Sequence, residues 1–313
     1  MRSAGRLVDR WPDEGGDDMS DKTVGIVGVG LMGHGIALNI LRKGWTLRFL
    51  EHPGNQPVED LVALGGAGVA DRQDLARDSD IILLCVNGTP QVEEVLLGPD
   101  GMLAALRPGM IVIDCSTAIP SSTERLAEKA MAAGARFLDA PMTRTPLEAA
   151  QGRLNLLIGG DSDTYEAALP LLECFSENRF YAGPAGSGHK LKLLHNFVSL
   201  GFATLLGEAA ACAAEGGIAP DVLVDVLTKG GGYGAALDRV GPYILDRDPS
   251  KMKFSVANAH KDLSYYTAMA RDLGCARSTA EGALGALEAL MNAGRQASFI
   301  VEGPTLFRET KPE

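Results

Sequence analysis

Lys192, His195, Asn196 and Ser199 fall at i, i+3, i+4 and i+7 in a run beginning Gly188-His-Lys-Leu-Lys192, so on an α-helix they share one face. The other faces carry Leu191, Leu193, Leu194, Phe197, Val198, Leu200 and Phe202, a pattern that predicts a helix buried nearly all round. Burying an ammonium is costly, so Lys192 either snorkels outward, pairs with an acid, or serves a function; spacing alone weighs these equally. A second group reads Val24-Gly-Ile-Val-Gly-Val-Gly-Leu-Met-Gly33 and runs on to Phe49-Leu-Glu51. This is the pattern of a dinucleotide-binding βαβ unit. Gly28 permits the tight turn, Gly30 lets the backbone approach a pyrophosphate, and Gly33 lets the following helix pack closely on the strand. Leu31 and Met32 lie within that turn and are expected against the cofactor. Glu51 ends the second strand, where a carboxylate accepts from ribose hydroxyls and repels a 2′-phosphate, so NAD is expected over NADP. His52 is neutral at pH 7 and adds little pull on a phosphate. His34, beside the phosphate site, reads as a first-turn helix residue without a ligand.

The elements that must position these groups follow from periodicity. Ile36, Ile40 and Lys43 keep helical spacing, Gly44 stops that helix, and Trp45, Leu47 and Phe49 alternate as a strand. Strands are expected over residues 78–86, 110–115 and 136–140, with helices over 70–77, 91–97 and 121–133, as in a parallel doubly wound sheet. Further strands at 153–158 and 179–182 flank a helix at 161–175. A Gly183-Pro-Ala-Gly-Ser187 break follows, and beyond it the chain reads as helices, the first over 189–215. The expected class is α/β: an N-terminal Rossmann doubly wound parallel sheet, then an all-helical C-terminal domain joined by a long interdomain helix. The expected bounds are 1–19 for a disordered extension, 20–185 for the NAD-binding domain, and 186–313 for a helical substrate and dimerisation domain. Met19 is an alternative start.

Val86 and Asn87 follow an apolar run to the carboxyl edge of the sheet, where open α/β folds bind ligands. Composition narrows the remaining classes. The net charge of −11 opposes nucleic-acid binding through a basic surface, and no stretch of about 18 apolar residues lacks a polar break, so neither nucleic acid nor membrane is expected as a partner. Residues 1–18 mix Arg2, Arg6 and Arg10 with Asp13, Glu14, Asp17 and Asp18, unlike a secretory signal or transit peptide. A cytoplasmic setting follows. Five scattered cysteines, without Cys-x-x-Cys or clustered histidines, indicate neither a metal site nor a disulfide framework.

The fingerprint, Asp114-Cys-Ser-Thr117, Asp139-Ala-Pro, Gly186-Ser-Gly-His-Lys-Leu-Lys192-Leu-Leu-His-Asn196 and His260-Lys261-Asp262-Leu263 together resemble the β-hydroxyacid dehydrogenases, over about residues 22–300. The resemblance implies that Lys192 is the general acid and base and that Asn196 holds the substrate. It also implies that Thr117 reaches the nicotinamide ribose or the substrate carboxylate, and that Lys261 lies near the cofactor. Desolvation and a second cation such as Lys261 disfavour a charged Lys192, as that role requires. One loop departs from the family pattern Asp-Ala-Pro-Val-Ser-Gly-Gly, reading here Asp139-Ala-Pro-Met-Thr143-Arg144-Thr145. A guanidinium suits bidentate capture of a carboxylate, sulfonate or phosphate, and Thr143 and Thr145 add hydroxyl donors. Arg144-Thr145 resembles the sulfolactaldehyde reductase branch, although His195 stands where that branch has asparagine.

The substrate is therefore expected to be a small anionic hydroxy acid or aldehyde. It carries either one carboxylate held by Arg144 or a second anion met by His195, with Tyr233 of a glycine-rich loop as a further specificity contact. The leading expectation is an NAD-dependent 3-hydroxyacid dehydrogenase of the 3-hydroxyisobutyrate or 2-hydroxy-3-oxopropionate type, acting as a homodimer or homotetramer. Sulfolactaldehyde reductase, imine reductase and a catalytically silent dinucleotide-binding protein are the alternatives.

Overall fold

The computed structural model describes residues 22–310; the extension expected over 1–19 lies outside them. Nine strands form one sheet: β1 (Thr23–Val27), β2 (Thr46–Leu50), β3 (Ala67–Val69), β4 (Ile81–Leu84), β5 (Ile111–Asp114), β6 (Arg136–Asp139), β7 (Met142–Thr143), β8 (Leu154–Gly160) and β9 (Ser176–Gly183). Their order is β3-β2-β1-β4-β5-β6-β8-β7, with β9 paired to β8. The first six are parallel and reverse direction of travel between β1 and β4, the switch point at which such sheets bind ligands. Seven helices accompany them: α1 (Gly33–Arg42), α2 (Glu59–Ala63), α3 (Arg72–Arg77), α4 (Thr89–Leu97), α5 (Pro120–Ala132), α6 (Pro146–Ala150) and α7 (Ser162–Leu172).

Strand residues alternate between two cores. Val24, Ile26, Ile81, Leu83, Ile111 and Ile113 pack with Ile36 and Ile40 of α1 and Leu171 of α7. Val27, Ile82, Leu84 and Val112 pack with Leu75 of α3, Val92 of α4 and Leu126 of α5 on the opposite face. The sheet is not wholly parallel as expected: β8 runs antiparallel to both β6 and β7. β7 and the five-residue α6 lie in the connection after β6, which brings the chain back as β8 running opposite to β6.

Beyond Gly186 come α8 (Ser187–Glu215), α9 (Pro220–Lys229), α10 (Ala235–Asp246), α11 (Val256–Asp272), α12 (Ser278–Asn292) and α13 (Gly303–Glu309). α8 is their axis. Its Leu200, Ala203, Leu206 and Ala210 share a core with Leu237 and Val240 of α10, Leu263 of α11, Leu287 of α12 and Leu306 of α13. By length and composition α8 could cross a membrane, with a mean hydropathy of 1.6 over its most apolar window; in this fold it is the helix around which the others pack. The expectation that it is buried nearly all round does not hold for the single chain. Leu194, Val198 and Leu205 are 47%, 67% and 60% exposed, because the other helices and the sheet cover only part of its circumference.

The start of α8 is fastened to the sheet. Asp139, fully buried at the end of β6, accepts the backbone N–H groups of Gly186 and His189, both at 2.7 Å, and so caps a helix that has no side-chain cap of its own. A Cβ on Gly188 would collide with the Leu157 carbonyl of β8, so only glycine allows helix and strand to approach this closely. The His189 ring is bound at both nitrogens. Nε2–H donates to the Ser116 carbonyl (3.0 Å), and Nδ1 accepts from Thr123 Oγ1 (2.8 Å). Burial raises the pKa of Asp114, 3.9 Å from this ring.

Candidate active site

The glycine turn lies between β1 and α1. A Cβ on Gly28, whose φ is 96°, would strike the Cys85 carbonyl, and one on Gly33 would strike the Gly28 carbonyl, whereas one on Gly30 would meet nothing. The protein's own packing therefore explains two of the three glycines, and the third faces open space. A cleft of about 430 Å³ beside it is lined by Leu31, His34, Gln56, Pro57, Glu59 and Asp60. Leu31 is 67% exposed here, whereas Met32 packs partly into the core. Asn55 ties this rim together, accepting from Val29 N–H (3.3 Å) and donating to the Leu50 carbonyl (2.9 Å). His34 is held by Asp60 at 3.0 Å. Glu51 is exposed at the end of β2, over Gly68, with no hydrogen bond or ion pair to its carboxylate among the described residues. Its own strand's cation, Arg48, is paired to Asp78 at 2.7 Å. These residues fit a dinucleotide: an open backbone turn at a helix N-terminus and an available carboxylate past it.

At the next strand end, Val86 N–H donates to Ser116 Oγ (3.0 Å), and the Asn87 carbonyl accepts from Lys261 of α11. Tyr265 Oη accepts from Thr89 N–H at 3.3 Å. Thus α11 closes over the sheet edge from the helical side. Thr117 lies three residues beyond β5, which ends at Asp114. It is partly buried, and its hydroxyl has no protein partner among the described residues.

On α8 the four polar residues diverge in what they touch. Lys192 Nζ donates to the Met142 carbonyl at 2.7 Å, next to Thr143. Desolvation lowers its pKa to about 8; Lys261 pushes the same way and Asp262 opposes. Asn196, 5% exposed, donates through Nδ2 to Asp262 Oδ2 (2.6 Å), so its Oδ1 accepts from His195 Nδ1–H (2.9 Å). Asp262 is itself 2% exposed and lies 3.2 Å from Lys261 Nζ. Lys261-Asp262 is thus a buried carboxylate with a neighbouring ammonium, not a solvated helix pair. Desolvation, Lys192 and Arg239 together hold His195 below the usual histidine pKa, against the raising effect of Asn196. Ser199, one turn on, has no hydrogen-bond partner among the described residues.

The substrate loop is less unified. Thr143 Oγ1 accepts from Asn155 Nδ2 (3.1 Å), leaving its own hydrogen to donate. Arg144 adopts a φ of 83°, in the left-handed region, and its guanidinium binds Glu177 of β9 and the Arg153 carbonyl. It holds the Glu177 carboxyl below the usual range. Thr145 caps α6, its side chain accepting from Leu147 N–H at 3.3 Å and donating to Glu148. Tyr233 is 58% exposed. Arg239 and the Met142 carbonyl were not singled out in the sequence. Arg239 gave no signal beyond a cation on an amphipathic helix, and a carbonyl gives none.

A Rossmann sheet with an open glycine turn at its switch point, followed by a helical region, fits an oxidoreductase that uses a nicotinamide dinucleotide. Residues 23–183 match the profile of the NAD binding domain of 6-phosphogluconate dehydrogenase. Residues 186–300 match that described as NAD-binding of NADP-dependent 3-hydroxyisobutyrate dehydrogenase. The chain belongs to the β-hydroxyacid dehydrogenase family, whose members act on CH–OH groups of hydroxy acids with NAD(P). It is 30% identical to the NAD-dependent L-serine dehydrogenase of Pseudomonas aeruginosa, covering 83% of this chain and 86% of the relative. It is 31% identical to the 3-sulfolactaldehyde reductase of Escherichia coli, covering 80% and 84%. The crystal structure of a 3-hydroxyisobutyrate dehydrogenase from Salmonella typhimurium superposes with a TM-score of 0.79 at 28% identity, covering 92% of this chain and all of that one.

Proposed function

We propose that the chain is an NAD-dependent dehydrogenase interconverting a small 3-hydroxy acid and its semialdehyde, of the 3-hydroxyisobutyrate or 2-hydroxy-3-oxopropionate type, with Lys192 as general acid and base. The observation that carries this reading is the Lys192 amine, held on the Met142 carbonyl with a pKa of about 8. Bound nicotinamide supplies the hydride acceptor or donor. In oxidation the neutral amine of Lys192 takes the hydroxyl proton; in reduction its ammonium protonates the carbonyl oxygen. Asn196 keeps one amide hydrogen beyond the one given to Asp262, and that hydrogen can donate to the substrate oxygen. The Thr117 and Thr143 hydroxyls are free to donate to a carboxylate. Glu51, with no cation beside it, supports NAD over NADP. The exposed Leu194, Val198 and Leu205 of α8 support a homo-oligomer that covers that face.

A sulfonate substrate is the second reading, favoured by the similarity to 3-sulfolactaldehyde reductase. Nicotinamide absorbance, followed with 3-hydroxyisobutyrate, glycerate, 3-hydroxypropionate and dihydroxypropanesulfonate, separates the two. A carboxylic acid is expected to turn over with NAD, with Lys192→Met lowering kcat about 10²- to 10⁴-fold while NAD still binds. Unchanged turnover in that variant ends the lysine assignment, and turnover of the sulfonate alone selects the second reading.

A further inference from the structure

Among the described residues, two other than glycine have a φ in the left-handed region, Arg144 at 83° and Arg247 at 60°. Arg247 closes α10, and a helix end calls for that conformation. Arg144 lies between β7 and α6, where no helix ends, and the conformation is disfavoured for a residue with a Cβ. It persists only where the surroundings hold it. The guanidinium supplies that hold, donating to the Glu177 carboxylate of β9 and to the carbonyl of Arg153, the residue just before β8.

What the loop carries explains why it is tied down. Met142 and Thr143 make up all of β7, and a two-residue strand pairs with β8 over too short a ladder to fix its own position. Side chains extend the ladder. Thr143 Oγ1 accepts from Asn155 Nδ2 (3.1 Å), and Asn155 Oδ1 accepts from Asn178 Nδ2 (2.9 Å), so one rung crosses β7, β8 and β9. Arg144, the Arg153 carbonyl and Glu177 form a second rung beside it. The strand held in this way presents the Met142 carbonyl to Lys192 Nζ at 2.7 Å. An anion arriving at Arg144 would have to displace Glu177 and then stand beside it, like charge against like.

We propose that Arg144 is a positioning residue: it anchors the loop after β6 to β9, which keeps the Met142 carbonyl on the Lys192 amine, and it does not receive the substrate anion. The proposal rests on the dehydrogenase reading above and replaces the anion capture expected of Arg144. The substrate carboxylate is then met by neutral donors, the Thr117 and Thr143 hydroxyls.

The test uses the full-length protein, saturating NAD and whichever of the hydroxy acids above is oxidised fastest. The variants are Arg144→Gly, which suits the left-handed φ, Glu177→Gln, and the two combined. An anchor predicts that the single variants match: kcat falls about three- to tenfold, KM for the acid changes by less than about twofold, and the double variant is no slower than either. The inflection of kcat/KM near pH 8 should move to lower pH in both, because the carbonyl that stabilises the Lys192 ammonium is no longer held against it. A receptor predicts the reverse pattern, with KM raised in Arg144→Gly and lowered in Glu177→Gln, where the guanidinium is set free. That pattern, single effects that multiply in the double variant, or an inflection unmoved in both variants overturns the proposal. If the wild type oxidises none of the acids, the dehydrogenase reading fails for these compounds and the anchor is read by amide hydrogen exchange. Faster exchange over residues 142–147 in Glu177→Gln supports it by itself, and unchanged exchange overturns it.

Discussion

Lys192 shows how a single residue acquires chemistry from its surroundings. With its pKa lowered to about 8, the folded protein binds this proton less tightly than the unfolded chain, whose lysine keeps its ordinary value of 10.5. In the direction of alcohol oxidation the reactive form is the neutral amine, so kcat/KM for the hydroxy acid should rise with pH and level off above an inflection near 8. Aldehyde reduction needs the ammonium, so its rate should fall through the same inflection. Rate profiles in both directions between pH 6 and 10 check this, and parallel profiles in the two directions would exclude a single group serving as acid and base. The linkage has a stability counterpart: between the folded and unfolded values the unfolded state holds more protons, so this site contributes stability that increases as pH rises across that window. Arg144 is the complementary case. A left-handed φ at a non-glycine residue costs about 1–2 kcal/mol, and here the guanidinium offsets that cost by tying the loop to β9.

At the scale of elements, the register of α8 decides where Lys192 stands, and Asp139 sets that register. Its carboxylate accepts from two backbone N–H groups at the helix start while fully buried, and Asn can accept at only one oxygen while turning an amide against the other donor. Asp139→Asn should therefore cost about 2–3 kcal/mol of stability, measured as a lower urea midpoint. It should also reduce kcat more than it raises KM, because displacing the helix misplaces the amine before it disturbs the carboxylate contacts. An unchanged midpoint would show that the cap is dispensable. The periodicity of α8 was plain in the sequence because seven apolar residues surround four polar ones. The short β3, β7, α2 and α6 were not, since two to five residues hold too little of a repeat to register.

For the whole molecule, the exposed side of α8 is an apolar face that a monomer leaves open to water. Leu194, Val198 and Leu205 recur at spacings that keep them on one side of the helix, and a partner chain would bury them. Sedimentation should give a mass of two or four chains, and the paired substitution Val198→Glu and Leu205→Glu should lower it to that of one. A wild type that sediments as a single chain removes the oligomer. The two regions also meet across the site. Lys261 and Tyr265 of α11 bind the backbone of the loop after β4, so the helical region helps to form the cofactor edge of the sheet.

Local pattern was enough to reveal the βαβ unit, the change from strands to helices near residue 185 and the polar face of α8, because each depends on neighbours within one or two helical turns. The pairing of Arg144 with Glu177, the capping of α8 by Asp139 and the reversal of β8 depend on groups tens of residues apart. Spacing carries no trace of such partners. Arg144 looked like a free cation; only the packing of β9 beside the substrate loop decided that its guanidinium is already satisfied.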